Sequence, residues 1–429
     1  MPKILFLLSS TMIVFTYGLV VGHYEVFPFS AISNMKDTVK QVIAEKDTLL
    51  GLRPSEFIEP ARYEGSGVTR SLKGEAAPGY TFVTGFFDDS NEMRLVRMDG
   101  SVINKWPVKF SEIFPDPKHI KPAKEIPKSD WNASVHGSHL LPDGSVIFIF
   151  TYKGAAKIDR CGKLLWTIPR MIHHSIYMEG DGTFWTLGAN YIDKTPGYPH
   201  LQVPYIEDTV IKYSPAGKVL KEISIVEILF KNGLQGFIYR KSVNGDLTHL
   251  NDVEVLEPEM AASYPQFSPG DLMLSMRKQD LVMVVDPETL LVKWYQQGPW
   301  QGQHDPDFMP NGIISMFSNN DDGTKYGKKF GGSTIVEIDP KTRKITRRYG
   351  AIPGEPMYTL DRGKHQRLGD NILITEARSG RVFEIDSKGK VVWDYINRYD
   401  DKNVLTLTGA VRYPASYFTV KDWSCNKEP

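Results

Sequence analysis

Along most of this chain apolar residues alternate with polar ones in short runs, and the runs come in pairs. Six times a strand-like run leads through a turn with Asp, Gly or Pro into a second run that often ends in Trp or Tyr. These are MRLVRMDGSVINKW (93–106), GAAKIDRCGKLLW (154–166), DTVIKYSPAGKVLKEI (208–223), DLVMVVDPETLLVKW (280–294), STIVEIDPKTRKITRRY (333–349) and GRVFEIDSKGKVVWDY (380–395). Period-two alternation around Asp-Gly, Asp-x-x-Gly or Asp-Pro predicts antiparallel hairpins. Another strand pair precedes each, so the pattern predicts an all-β fold, a six-bladed β-propeller over 80–429. A solenoid would need shorter, more uniform repeats. The long variable segments, Gly188–Glu207 and Glu257–Gly270, are expected as insertions on one face. The first strand of each blade should line the central channel, with GYTFVTGFF (79–87) opening the first blade.

The start of the chain reads differently. Ile4–Val21 has no charged residue, and extended through Tyr24 it approaches the ~20 residues needed to span a bilayer core. Lys3 precedes it and places the N-terminus in the cytoplasm by the positive-inside rule. No good small-x-small cleavage site follows, so residues 1–24 read as a signal anchor or transmembrane helix, with a cleaved signal peptide as the alternative. Either exports the rest, to the periplasm in a two-membrane bacterium. Residues 25–79 read as a short juxtamembrane helix over Met35–Leu50, where Val39, Val42, Ile43 and Leu49 recur at helical spacing, followed by a Pro- and Gly-rich linker.

Lys plus Arg and Asp plus Glu balance at 51 each, and no basic stripe with interleaved aromatics occurs, which argues against nucleic acid as a partner. Homo-oligomerisation is left open. The two cysteines, Cys161 and Cys425, fit one disulfide in an exported protein or two free thiols.

The chemistry concentrates in histidines. His136, His174 and His304 each stand seven residues before the Asp or Asn of an Asp-Gly or Asn-Gly turn, and a strand follows that turn. His249, in THLNDVEVL, aligns with them; His365 sits two residues nearer its turn. Histidines at one offset in repeated blades should converge at one channel mouth, a usual place for a ligand site. A scaffold role is the plain alternative, most of all for His136, His139 and His365, and His173 could exchange roles with His174. Arg277, in a Ser-x-Arg setting just after an inner strand, and Arg378 at the equivalent place would favour an oxyanion over a metal cation, because guanidinium pairs bidentately with sulfate, phosphate or carboxylate. Metal binding, helped by Asp252, Asp305 and Asp307, is the rival reading, but the histidines come from separate blades and no near ligand pair occurs. A propeller that only binds a partner at the same mouth is a further alternative.

The runs THLNDVEVL, GDLMLSMRKQDLVMVVDPETLLVKWYQQG and GQHDPDFMPNGIISMFSNN resemble the bacterial arylsulfotransferase family. His-x-Asn at a strand start, Ser-x-Arg, a strand ending in Asp, a Trp with Gly soon after, and Gly-Gln-His all occur in the family's order. The resemblance implies an exported six-bladed propeller that moves a sulfuryl group from an aryl sulfate to a phenolic acceptor, without nucleotide donor, metal or other cofactor. It makes His304 the nucleophile that becomes a sulfohistidine, and His249, Arg277 and His174 its catalytic neighbours. Asn251, His136, His173, Arg378 and His365 are then expected to contact substrate.

Overall fold

Val146–Phe150 (VIFIF) shows how the ring is assembled. All five side chains are buried. Phe148 packs with Phe82, Met93 and Trp106 of the sheet before it, while Ile147 and Ile149 point the other way, to Phe184 and Ile211 of the sheet after it. Side chains alternate across a strand, and here both faces are covered, so the sequence is apolar without interruption. Leu281–Val285 repeats the arrangement, with Val282 and Val284 on one interface and Leu281, Met283 and Val285 on the other. Apolar clusters of this kind fill all six gaps between neighbouring sheets.

The computed structural model describes residues 2–24, 26–28, 35, 46, 48, 54–351 and 356–425. Apart from isolated residues, the helix expected over 35–50 lies outside them. The chain divides into two units, Met1–Glu56 and Phe57–Pro429. In the first, Pro2–Tyr24 is one α-helix, long and apolar enough to cross a membrane, as a signal sequence also would be. The second is the six-bladed propeller.

Each blade is built on four antiparallel strands, its inner strand first, and blade 3 gains a short parallel strand, Gly245–Asp246, beside Tyr205 and Ile206. The inner strands of blades 2 to 6 are Val135–Leu140, Ile172–Met178, Leu250–Val255, His304–Phe308 and Lys364–Leu368. Blade 1 differs from expectation. Tyr80–Phe87 is its second strand, and the inner strand is Leu407–Tyr413 from the far end of the chain, paired from Leu407 opposite Gly85, across a register shift before Gly409, to Tyr413 opposite Tyr80. Pairing the last strand with the first three closes the ring and leaves no gap in the sheet.

The linker expected up to residue 79 also gives way early. Ile58–Pro60 pairs with Asn403–Leu405, and Gly67–Ser71 adds a fifth strand to blade 6. Both are short edge segments with too little alternation to signal a strand. The two long insertions do not share a face either. One joins the second and third strands of blade 3, the other the first and second strands of blade 4, so they leave from opposite ends of their sheets. Cys161, in the outer hairpin turn of blade 2, is bridged to Cys425, and Arg160 Nη1 also donates to the Ser424 carbonyl at 2.8 Å.

Candidate active site at the channel mouth

The inner strands begin at one mouth, and several begin with unusual backbone. His174, His249 and Arg362 have φ of +60°, +48° and +60°. This left-handed region is uncommon for residues with a side chain, and such strain collects at functional sites. Between the strands the fit is close: a Cβ on Gly137 would lie 2.2 Å from the His174 carbonyl oxygen, so only glycine lets blades 2 and 3 approach here.

Four of the expected histidines meet. The His174 ring centroid lies 4.6 Å from that of His136 and 5.1 Å from that of His249. His304, 5% exposed, shares their surroundings, since its charge would act on both His136 and His174. Burial holds all of His136, His174 and His304 below the ordinary imidazole value, His304 at about 3, where the Arg277 guanidinium adds to the effect and the hydrogen bond to Asn319 opposes it.

The partners of His304 define its tautomer. Asn319 Nδ2 donates to the carbonyls of Thr359 (2.9 Å) and Arg362 (2.8 Å), so its Oδ1 must face the other way. There it accepts from His304 Nδ1–H at 2.7 Å, with the Gly302 carbonyl as a second acceptor at 3.0 Å. The proton therefore sits on Nδ1, and Nε2 carries a free lone pair.

His249 is held by a carboxylate: its Nδ1 lies 2.6 Å from Asp246 Oδ2, and its backbone N–H donates to Asp246 Oδ1 at 2.9 Å. Burial raises the Asp246 carboxyl, but the bonds from His249 outweigh burial and leave it below its usual range. Arg277 flanks this pair. Its Nε is buried with no hydrogen-bond partner among the described residues, and a Cβ on Gly302 would lie 3.8 Å from it. His249, Arg277 and Asn319 line a cleft of about 360 Å³ at the mouth.

The remaining expected residues are placed around or away from this cluster. His173 is fully buried behind His174. Its Nδ1 lies 2.8 Å from His174 Nδ1 and its Nε2 3.2 Å from the Gly188 carbonyl, so it braces His174. Asn251 Nδ2 donates to the Gln303 carbonyl at 2.7 Å, tying blade 4 to the residue before His304. Arg378 occupies the turn equivalent to that of Arg277, but it is spent on Asp361 through Nε (3.0 Å) and Nη2 (2.7 Å), and on Glu59 through Nη1 (2.6 Å). His365 lies farther down the channel. It bonds Ser315 Oγ at 2.7 Å and Asp305 Oδ2 at 3.1 Å, and its two-residue offset in the sequence is the reason it misses the cluster. Burial lowers its pKa, and Asp307 and Asp305 raise it by more. Asp305, Asp307 and His365 could together hold a cation, but Lys364 Nζ already sits 2.8 Å from Asp305.

Sequence reading missed Asp246, Asn319, Asp361 and Arg362. Asp246 had a signal, three residues before His249, and Asn319 is the first of the two asparagines that end the run GQHDPDFMPNGIISMFSNN. The other two had none.

No curated protein sequence matches this chain. Among solved structures it is similar to a Bacteroides caccae protein of unknown function, at 14% identity over 78% of this chain and 98% of that one, with a TM-score of 0.50. A second is virginiamycin B lyase from Staphylococcus aureus, at 11% identity over 67% of this chain and 85% of that one, with a TM-score of 0.37. At such identities the likeness concerns the fold alone. The sequence profile described as Arylsulfotransferase (ASST) matches residues 137–398, the span that holds His174, His249, His304, Arg277 and Asn319, and it begins one residue after His136. That match takes in well over half of the chain, which belongs to the arylsulfotransferase family.

Proposed function

We propose that this protein transfers a sulfuryl group from an aryl sulfate to a phenol on the extracytoplasmic side of a membrane, in two steps through His304. The observation that carries the reading is the locked His304 imidazole, neutral, with Nδ1–H on Asn319 and its Nε2 lone pair unused among the described residues.

In the first step Nε2 attacks sulfur. The N–S bond forms, the S–O bond to the aryl group breaks, and its electron pair leaves on the phenolate. Negative charge on the sulfuryl oxygens and the departing oxygen calls for fixed positive donors. Arg277 supplies guanidinium N–H groups to the sulfuryl oxygens. A protonated His249, backed by Asp246, gives its Nε2 proton to the phenolate, a contribution of ~10²–10⁴-fold for a placed general acid. The ring of His304, now N-sulfonated and cationic, keeps its Nδ1–H on Asn319. In the second step His249 takes the proton of an acceptor phenol, whose oxygen attacks sulfur and frees His304. Neutral His136 and His174 add ring edges that exclude water and donate to oxygen. The apolar Pro2–Tyr24 helix supports export or tethering, hence the periplasmic side.

Incubating the protein with an aryl sulfate and no acceptor should add one sulfuryl group at His304, and His304→Asn should remain unlabelled and inactive. Wild-type turnover by that variant, or a label at another residue, would refute the assignment. Active wild type with sequential kinetics and no label would mean direct transfer.

A further inference from the structure

Resting on the sulfuryl-transfer reading, we propose that Arg362 is a second catalytic guanidinium, placed opposite Arg277 so that the group on His304 is gripped from both sides. Arg277 comes from blade 4, His304 from blade 5, and Arg362 stands two residues before the inner strand of blade 6.

Three independent features point to Arg362. Its backbone is left-handed (φ +60°), as at His174 and His249, and its carbonyl is one of the two acceptors that orient Asn319 against His304. Its Nε is buried with no hydrogen-bond partner among the described residues, matching Arg277 Nε in the same cluster. Leaving a buried donor unpaired costs free energy that an oxyanion would return. Finally, Arg362 is not consumed by its neighbour. It gives Asp361 one bond, Nη1 to Oδ1 at 3.0 Å, while Arg378 already holds both oxygens of that carboxylate. Asp361 would remain paired without Arg362, so a purely structural need for this side chain is weak. Arg362 also acts on the His136 imidazole, being the strongest charge depressing it after burial itself.

Two guanidiniums facing one sulfuryl group match the chemistry. The donor monoanion spreads one negative charge over its three sulfuryl oxygens, and the group still carries that charge on His304 after the leaving oxygen has taken the electron pair of the broken S–O bond. One fork from each side covers those oxygens and leaves the line between Nε2, sulfur and the leaving oxygen open.

The test compares wild type, Arg362→Gln and Arg362→Lys in two assays. With an aryl sulfate, Arg362→Gln should lose about 10²–10³-fold in kcat with a smaller change in KM, as for loss of one oxyanion donor, and Arg362→Lys should recover part of the loss. In thermal melts with sodium sulfate, against sodium chloride at equal ionic strength, wild type should gain stability and Arg362→Gln should gain none. Wild-type kcat and a wild-type sulfate response in Arg362→Gln would overturn the inference and leave the sulfotransferase reading standing. If wild type turns over no aryl sulfate but sulfate still stabilises it through Arg362, the anion site stands and the reaction assigned to it falls. If Arg362→Gln does not fold, Arg362→Lys decides: at least a tenfold drop in kcat supports the role, and unchanged kcat refutes it.

Discussion

Replacing His304 by asparagine should change how the propeller responds to acid. In the folded protein burial and Arg277 push the imidazole down to about 3, whereas an unfolded histidine titrates near ~6.5. The folded value is the lower one, so the stability linked to this group is fully present above the unfolded value and is lost as pH falls toward the folded one. Between pH 7 and pH 5 the unfolded chain gains a proton at this residue and the native state does not, which lowers stability by about 2 kcal/mol at 1.36 kcal/mol per unit of pH. The full difference, reached near the folded value, is about 5 kcal/mol. Other buried groups act with the opposite sign: Asp252, pushed up to about 7, and Glu254 and Asp307, pushed well above the usual carboxylate range, are all raised mainly by burial. Total stability therefore does not isolate the histidine, but the difference between wild type and His304→Asn does. Melted at pH 7 and at pH 5, wild type should lose about 2 kcal/mol more than the variant, or ~2–3 °C for a body of this size given ~2.1 cal/mol/K per residue. Parallel profiles would mean that His304 titrates in the native state like an ordinary histidine. The neutral nucleophile of the proposed mechanism would then be lost below pH 6.5.

Asn319→Leu should remove the acceptor that holds the His304 proton on Nδ1 and so free the wrong tautomer, with a loss of kcat of about 10²-fold or more, as when other orienting partners of a catalytic imidazole are removed; unchanged single-turnover labelling of His304 would show that the tautomer is set elsewhere. Cys161→Ser should lower stability by about 2–5 kcal/mol, because the bridge closes a long loop in the unfolded chain, and the melt of wild type in reductant should fall to that of the variant. An unaltered melt in reductant would mean that the C-terminal tail adds nothing to ring closure.

The repeating half of the fold is legible because it is local. Each outer hairpin carries its own turn and alternation, and the runs VIFIF and LVMVV declare strands buried on both faces. Ring closure is not local. LTGAVRY looks like any short strand, and nothing in it says that its partner lies more than three hundred residues upstream, at Tyr80–Phe87. The site divides along the same line. A histidine at a fixed distance from a turn marks a strand start, so the meeting of His136, His174, His249 and His304 follows from repeat arithmetic alone. The two-residue offset of His365 equally foretells its separation. Arg378 shows the limit. It occupies the same turn as Arg277, and the sequence equates them, but Asp361 and Glu59 reach Arg378 from segments outside the repeat. Among the described residues Arg277 has no such carboxylate, and that difference in partners separates the arginine proposed to bind an anion from one held in an ion pair.

The strained and unpaired groups are at the same mouth. A left-handed backbone at a residue with a side chain costs about 1–3 kcal/mol and persists only where surrounding structure overrides it. A ring of six sheets with filled interfaces on every side is such a surrounding, since no blade can relax without opening two interfaces. The turned backbone at His174, His249 and Arg362 lies where the inner strands enter the channel, beside the orphaned Nε atoms of Arg277 and Arg362. Rigid strain and unpaired positive donors in one place constitute preorganisation. The reorganisation that water would otherwise undergo around a developing anion has been met during folding. This also accounts for the choice of an amide rather than a carboxylate behind His304. Asn319 orients the ring without adding the negative charge that would raise its pKa, so the imidazole to which the proposed mechanism assigns the attack stays neutral beside Arg277. Asp246, by contrast, stands behind His249, the histidine to which the proposed mechanism gives the proton for the leaving oxygen.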